Sequence, residues 1–161
     1  MISIRRADPA EAEVLTAISF AAKRYWNYPE TFMQLWKDEL TITEEYIKKN
    51  EVYVVESDRS VVGYFSMIYV PNDKNEGRIF ISHGYYLDHM FLSPDLIGQG
   101  IGTKCIEFMT KYCRERKRDF VRVLSDPYAR GFYKKTGARY IKEMLSNIPG
   151  RTVSLFEYHI H

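Results

Sequence analysis

Three glycines at alternate positions, in Gly98-Gln99-Gly100-Ile101-Gly102, stand between a strand-like run ending in Phe91-Leu92 and an amphipathic helical run. No other stretch narrows the available folds as much. Glycine has no Cβ, so the backbone there can approach a ligand closely. The first N–H groups of a helix have no internal partner. Together these properties make a seat for a phosphate or pyrophosphate, although a Gly-rich turn also serves simply as a tight turn. The helix that follows carries Ile101, Cys105, Met109, Tyr112 and Cys113 on one stripe and Lys104, Glu107, Lys111 and Arg114 on the other face.

Two common phosphate-binding patterns do not fit. Lys104 follows Thr103 and no Gly-Lys-Ser/Thr is present, which rules out the Walker loop. The dinucleotide fingerprint needs Gly or Ala where Thr103 stands, although Asp126 imitates its ribose-binding acid. Residues 93–97 also separate Leu92 from Gly98, too long for the tight first turn of that fold.

The rest of the chain reads as one mixed α/β domain spanning 1–161. Ile2-Ser3-Ile4-Arg5 alternates like a strand. Asp8, Pro9 and Glu11 form a helix start with a capping box, and Val14, Ile18, Ala21 and Tyr25 continue it at helical spacing. Asn27-Tyr28-Pro29 ends that helix, and helices follow over about 30–40 and 43–49. Strands are expected at 52–55 and 61–65, joined by a hairpin turn, then a polar loop over 71–77 and an extended segment over 79–92. After the glycine-started helix come a strand at 120–124, a short helix over 127–136, and strands at 138–144 and 153–160. This order predicts a mainly antiparallel central sheet with helices on both faces.

Composition excludes several classes. With 161 residues, 45% hydrophobic and 27% charged, the chain is an ordinary globular domain. A net charge of +2 gives no footprint for nucleic acid, and Arg114-Glu115-Arg116-Lys117-Arg118 reads as the solvated end of a helix. No segment has the length and apolarity to cross a membrane or act as a secretory signal. Cys105 and Cys113, eight residues apart, lie about 12 Å apart along a helix axis, too far for a disulfide. Buried free thiols in a reducing cytoplasm are the expectation, and no metal site is expected.

A second cluster follows the helix: Asp126-Pro127-Tyr128-Ala129-Arg130-Gly131-Phe132-Tyr133-Lys134-Lys135-Thr136-Gly137-Ala138. Taken with Leu92-Ser93-Pro94 and Ile97-Gly98-Gln99-Gly100-Ile101-Gly102, it resembles the GNAT superfamily of acetyl-CoA-dependent N-acetyltransferases. That family's cofactor motif is Arg/Gln-x-x-Gly-x-Gly/Ala, after a strand ending in an apolar residue, any residue and Pro. Its later motif is Asn-x-x-Ala-x-x-Phe-Tyr-x-x-x-Gly-Phe. The resemblance covers essentially the whole chain, with three departures: Ile97 for Arg or Gln, Asp126 for Asn, and Ala138 for Phe.

The resemblance implies an acyl-CoA N-acyltransferase fold and direct acetyl transfer from acetyl-CoA to an amine. It assigns the cofactor to Met90, Phe91, Leu92, Ile97, Gly98, Gln99, Gly100, Ile101, Gly102, Thr103, Asp126, Ala129 and Tyr133. Tyr133 matches the tyrosine that protonates the departing thiolate; packing beside Phe132 is the alternative role. An amine with a pKa near 10.4 is mostly charged at pH 7, so a base or water chain helps it attack. The family places that base on the strand before the turn, where Tyr86, Asp88 and Met90 share a face and His89 points the other way. Asp88 is the first candidate and His89 the second; both also serve as ordinary hydrogen-bonding residues. For the acceptor, Tyr25, Trp26 and Tyr28 offer an aromatic wall for a cation, or else core packing. Tyr86 faces the same region, and Arg151 is suited to hold a carboxylate. The expected acceptor is a small amine or a peptide amine, and a homodimer is compatible with the family. The rival reading is a non-catalytic acyl-CoA-binding module.

Overall fold

The computed structural model describes residues 1–161. In chain order the first elements are β1 (Ile2–Arg6), α1 (Ala12–Arg24), α2 (Glu30–Leu35), α3 (Lys37–Leu40), α4 (Glu44–Lys49), β2 (Glu51–Ser57) and β3 (Ser60–Val70). Then come β4 (Lys74–Glu76), β5 (Ile79–Ile81), β6 (Gly84–Leu92), α5 (Ile101–Glu115), β7 (Phe120–Ser125), α6 (Arg130–Lys135), β8 (Arg139–Leu145) and β9 (Thr152–His159). Seven strands hydrogen-bond in the order β1-β2-β3-β6-β7-β9-β8. The pairs β1–β2, β2–β3, β7–β9 and β8–β9 are antiparallel, whereas β6–β7 is parallel. The expected mixed, mainly antiparallel sheet is therefore present.

Of the expected α1 stripe, Val14, Ala21 and Tyr25 are exposed, and Leu15 joins Ile18 in the core instead. Three further expectations need correction. The helix over 30–40 is divided at Trp36 into α2 and α3. β3 runs on to Val70, five residues past the expected end at Phe65, because Ser66 and Met67 are fully buried and keep the strand packed. The polar loop over 71–77 contains β4, which pairs with β5 in a separate two-stranded hairpin. All three β4 residues are exposed, so no apolar alternation marks the strand in the sequence.

The chain divides into two compact units, Met1–Met67 with His89–Cys105, and Ile68–Asp88 with Ile106–His161. In the first, the capping box forms as read. Asp8 accepts from the Ala10 N–H at 2.9 Å, and Glu11 accepts from the Asp8 N–H at 2.8 Å. Arg5 clamps this start from β1, reaching Glu11 and Glu56 at 2.7 Å each. Leu15 and Ile18 of α1 then pack with Ile42, Ile47, Val52, Val54 and Tyr64. In the second, Val121 and Val123 of β7 and Phe156 and Tyr158 of β9 are buried. Their neighbours Arg122, Leu124, Leu155 and Glu157 point to the opposite face, as the two-residue period requires. On α5, Ile101, Cys105, Met109 and Cys113 of the expected stripe are buried, whereas Tyr112 is only half-buried. No helix is long and apolar enough to cross a membrane.

Candidate active site

In the first unit, β6 ends at Leu92, and Ser93 bonds back to β3 through its N–H to Val62 O at 2.8 Å. Gly63 on β3 permits the approach. A Cβ there would lie 2.8 Å from Phe91 O, too close for the backbone to stay in place. Sequence reading passed over Gly63, although an isolated glycine inside a strand signals a close backbone approach.

The glycine turn follows. Gly98 and Gly100 have φ of 85° and 78°, conformations that residues with side chains rarely adopt. A Cβ on either would meet nothing within 4 Å, so no protein packing occupies the space over the turn. The Lys104 N–H is bonded to Gly100 O at 3.2 Å, the opening bond of α5. The N–H groups of Ile101, Gly102 and Thr103 precede it and have no carbonyl within the helix to bond. Gln99 turns its side chain back to Asp95 O at 3.3 Å. Ile97, at the family's Arg or Gln position, is exposed and brings no charge. The turn therefore offers backbone donors, a helix start and open room, which fits a pyrophosphate.

His89 is buried, with its ring 5.8 Å from Tyr46, 6.1 Å from Tyr64 and 5.7 Å from Phe91. The hydroxyls beside it are tied: Tyr64 Oη to Ser19 Oγ at 2.5 Å and Tyr46 Oη to Ser66 Oγ at 2.8 Å. Tyr25 and Trp26 are exposed and stack edge to face at 4.9 Å, so the core role does not apply to them. Tyr28 meets Trp36 at 4.9 Å, and Lys23 Nζ lies 4.3 Å over the Trp36 ring and 5.5 Å from Tyr28. Of the three expected wall residues, Tyr28 has the chain's own Lys23 beside it.

In the second unit, Tyr133 is buried against Phe132, Phe156 and Tyr158. Burial pushes its phenol well above the usual range, and Tyr158 and Asp126 add to the effect. The phenol is therefore protonated at neutral pH. Asp126 caps the following turn, accepting from the Tyr128 N–H at 3.0 Å, and its other oxygen meets Arg151 Nη2 at 3.2 Å. Arg151 therefore balances the carboxylate that stands in the family's Asn position. Ala129 lies in the turn Pro127–Ala129 that leads into α6.

Asp88 is exposed on β6, and Tyr86, two residues earlier, is buried with its hydroxyl donating to Ser82 O at 2.9 Å. Tyr86 lines a cavity of about 250 Å³ with Phe80, Arg122, Lys142, Leu155 and Glu157 among others. Of these, sequence reading singled out only Tyr86.

A family model described as "Acetyltransferase (GNAT) family" matches residues 17–138. No protein of curated function matches the chain. Among solved structures, the chain resembles a GCN5-related N-acetyltransferase from Rhodopseudomonas palustris at 19% identity and a TM-score of 0.75, covering 98% of this chain and 94% of that one. It resembles PaiA N-acetyltransferase from Thermoplasma acidophilum, solved in complex with coenzyme A, at 15% identity and a TM-score of 0.75, covering 99% of both chains. A GNAT-family acetyltransferase from Staphylococcus aureus Mu50 follows at 17% identity and a TM-score of 0.71, with 100% of each chain covered. At these identities the likeness shows the shared fold.

Proposed function

The chain belongs to the acetyltransferase (GNAT) family, and from that premise we propose that it transfers the acetyl group of acetyl-CoA directly to a primary amine. The observation that carries this reading is the turn at Gly98 and Gly100, with left-handed backbone and open space where side chains would stand. In this reading the N–H groups of Ile101, Gly102 and Thr103 hold the pyrophosphate. Met90, Phe91 and Leu92 run beside the pantetheine arm, whose amides suit a strand edge.

Acetyl-CoA supplies a thioester carbon that the amine attacks, so an N–C bond forms, the C–S bond breaks and sulfur leaves with the electron pair. The chain's residues manage the protons. Asp88, exposed on its strand, takes one from the amine nitrogen directly or through water. Tyr133 gives its phenolic proton to the sulfur and recovers one from solvent afterwards. The phenol stays protonated throughout the neutral range, and the negative charge developing on sulfur draws the proton across as the C–S bond breaks. Two buried free thiols fit the reducing cytoplasm as the site of action.

The test is an amine panel with acetyl-CoA, read by release of free CoA and by mass of the product. Amine-dependent release with a mass gain of one acetyl group is the expected result. Acetyl-CoA binding without transfer to any amine would replace the reading with a binding module.

A further inference from the structure

The cavity in the second unit has a floor built by strand register. Tyr86 on β6 is the register partner of Arg122 on β7, and Arg122 is the partner of Glu157 on β9. The three form one row across three strands, on the face opposite to Phe156 and Tyr158. Phe80, Ile141 and Leu155 add apolar wall around it.

Arg122 is held from several sides. Its Nε donates to Glu157 Oε2 at 3.1 Å, its Nη1 donates to His83 O at 2.8 Å, and its guanidinium lies 4.3 Å from the Phe120 ring centroid. Gly84 leaves room for it, since a Cβ there would come within 3.0 Å of Nη1. Only 18% of the Arg122 side chain is exposed.

The charge in the cavity lining that has no partner in the chain is positive. Both Glu157 oxygens are engaged, one by Arg122 and the other by His159 Nε2 at 2.8 Å. The Tyr86 hydroxyl proton goes to Ser82 O. Arg122 Nη2 makes no hydrogen bond in the chain, and neither does the Lys142 ammonium, so the cavity keeps two cationic donors beside the Ser82 hydroxyl. A preoriented guanidinium with free in-plane N–H groups is matched by a carboxylate. The volume equals that of about eight water molecules in the liquid, which suits a molecule of amino-acid size. Asp88 stands two residues beyond Tyr86 on the same face of β6, about 6.6 Å along the strand.

We propose that this cavity is the acceptor cleft, and that the acceptor is a small amine that also carries a carboxylate, with Arg122 as its anchor and Lys142 as a second cation. The proposal rests on the acetyltransferase reading, and its test separates the two. Steady-state acetylation is measured with matched pairs, each a free amino acid and its carboxamide, with aminoalkyl phosphonates as a third arm. The wild-type chain is expected to prefer the carboxylate over the carboxamide by about ten- to a hundredfold in kcat/KM, and over the phosphonate as well. In Arg122→Gln/Glu157→Gln, which removes both charges of the pair, the carboxylate-to-carboxamide ratio falls to about one, mainly through KM. Stabilisation by acetyl-CoA confirms that the variant is folded. Acetylation without a carboxylate preference, or a preference that survives in the double variant, overturns the cleft and leaves the acetyltransferase intact. A phosphonate preference overturns the carboxylate assignment. If no amine is acetylated, the acetyltransferase reading fails, and calorimetric titration with N-acetyl amino acids and their amides decides the cleft. Binding of the acids that depends on Arg122 upholds it, and absence of such binding overturns it.

Discussion

Arg122 on β7 stands directly opposite Glu157 on β9, and its Nε reaches Glu157 Oε2 at 3.1 Å with both side chains more than four-fifths buried. A charge left in such a place without its partner is costly, whereas removing both charges is far milder. Arg122→Gln and Glu157→Gln are each expected to destabilise the fold, and the double variant by less than their sum. The coupling should be about 0.5–3 kcal/mol, read from urea unfolding of the four proteins. Strictly additive costs would show that the two groups do not sense each other.

Gly100 and Gly63 are both glycines for a structural reason, but the reasons differ. At Gly100 the φ of 78° disfavours a side chain while the space beside it is open; at Gly63 the space is filled by Phe91 and Leu92. Gly100→Val is expected to cost about 1–2 kcal/mol of stability and to abolish the rise in Tm with acetyl-CoA. Gly63→Ala should lower Tm even without ligand, because the Phe91 carbonyl must move. Thermal melts with and without acetyl-CoA check both. An undiminished shift in the Gly100 variant would place the pyrophosphate elsewhere.

The features legible in the sequence are those set by neighbours along the chain. The capping box at Asp8 and Glu11, the buried stripe Ile101, Cys105, Met109 and Cys113, and the turn before α5 all express local geometry. The β4–β5 hairpin was hidden because Lys74, Asn75 and Glu76 are all exposed and polar. Arg122 was hidden for another reason: its partners come from residues 83, 84, 120 and 157, which only strand register assembles. The pairing of Arg151 with Asp126 was hidden in the same way, because 25 residues of chain separate the two.

Glu11 closes the capping box of the 3-10 turn Pro9–Glu11 that leads into α1, and the Arg5 guanidinium holds its carboxyl below the usual carboxylate range. A folded-state pKa lowered in this way contributes stability above the unfolded value, near 4.3, and loses it as pH falls through the folded value. The Arg5 side chain is 41% exposed, so solvent screening limits the pair to about 1 kcal/mol or less. Glu11→Gln should lower Tm at pH 7 by at most about 2–4 °C, with the gap to wild type closing below pH 4. A gap of equal size at pH 3 would assign the effect to capping geometry alone.

Asp88 and His89 are adjacent but differently placed, one exposed and one buried among Tyr46, Tyr64 and Phe91. Asp88→Asn is expected to leave Tm nearly unchanged and to reduce kcat by about 10²-fold or more. His89→Asn is expected to lower stability by about 1–3 kcal/mol while the surviving folded fraction stays active. Melting curves beside rates normalised to folded protein separate the two roles. The reverse pattern would move the base to His89.

Tyr133→Phe removes one hydroxyl and keeps the ring against Phe132, Phe156 and Tyr158, so the variant should melt close to wild type. The phenol is pushed upward chiefly by burial, so it stays protonated in the neutral range and gives the pH–rate profile no basic limb below about pH 10. Proton donation to the departing sulfur matters as the C–S bond breaks and little before it. Turnover is therefore expected to fall by about 10²- to 10⁴-fold while affinity for acetyl-CoA, measured by calorimetry, holds within a few-fold. An interaction made mainly in the transition state has that signature. Should affinity collapse together with rate, the hydroxyl was holding the cofactor. Should turnover drop by less than a few-fold, Tyr133 is a packing residue and the sulfur takes its proton from water.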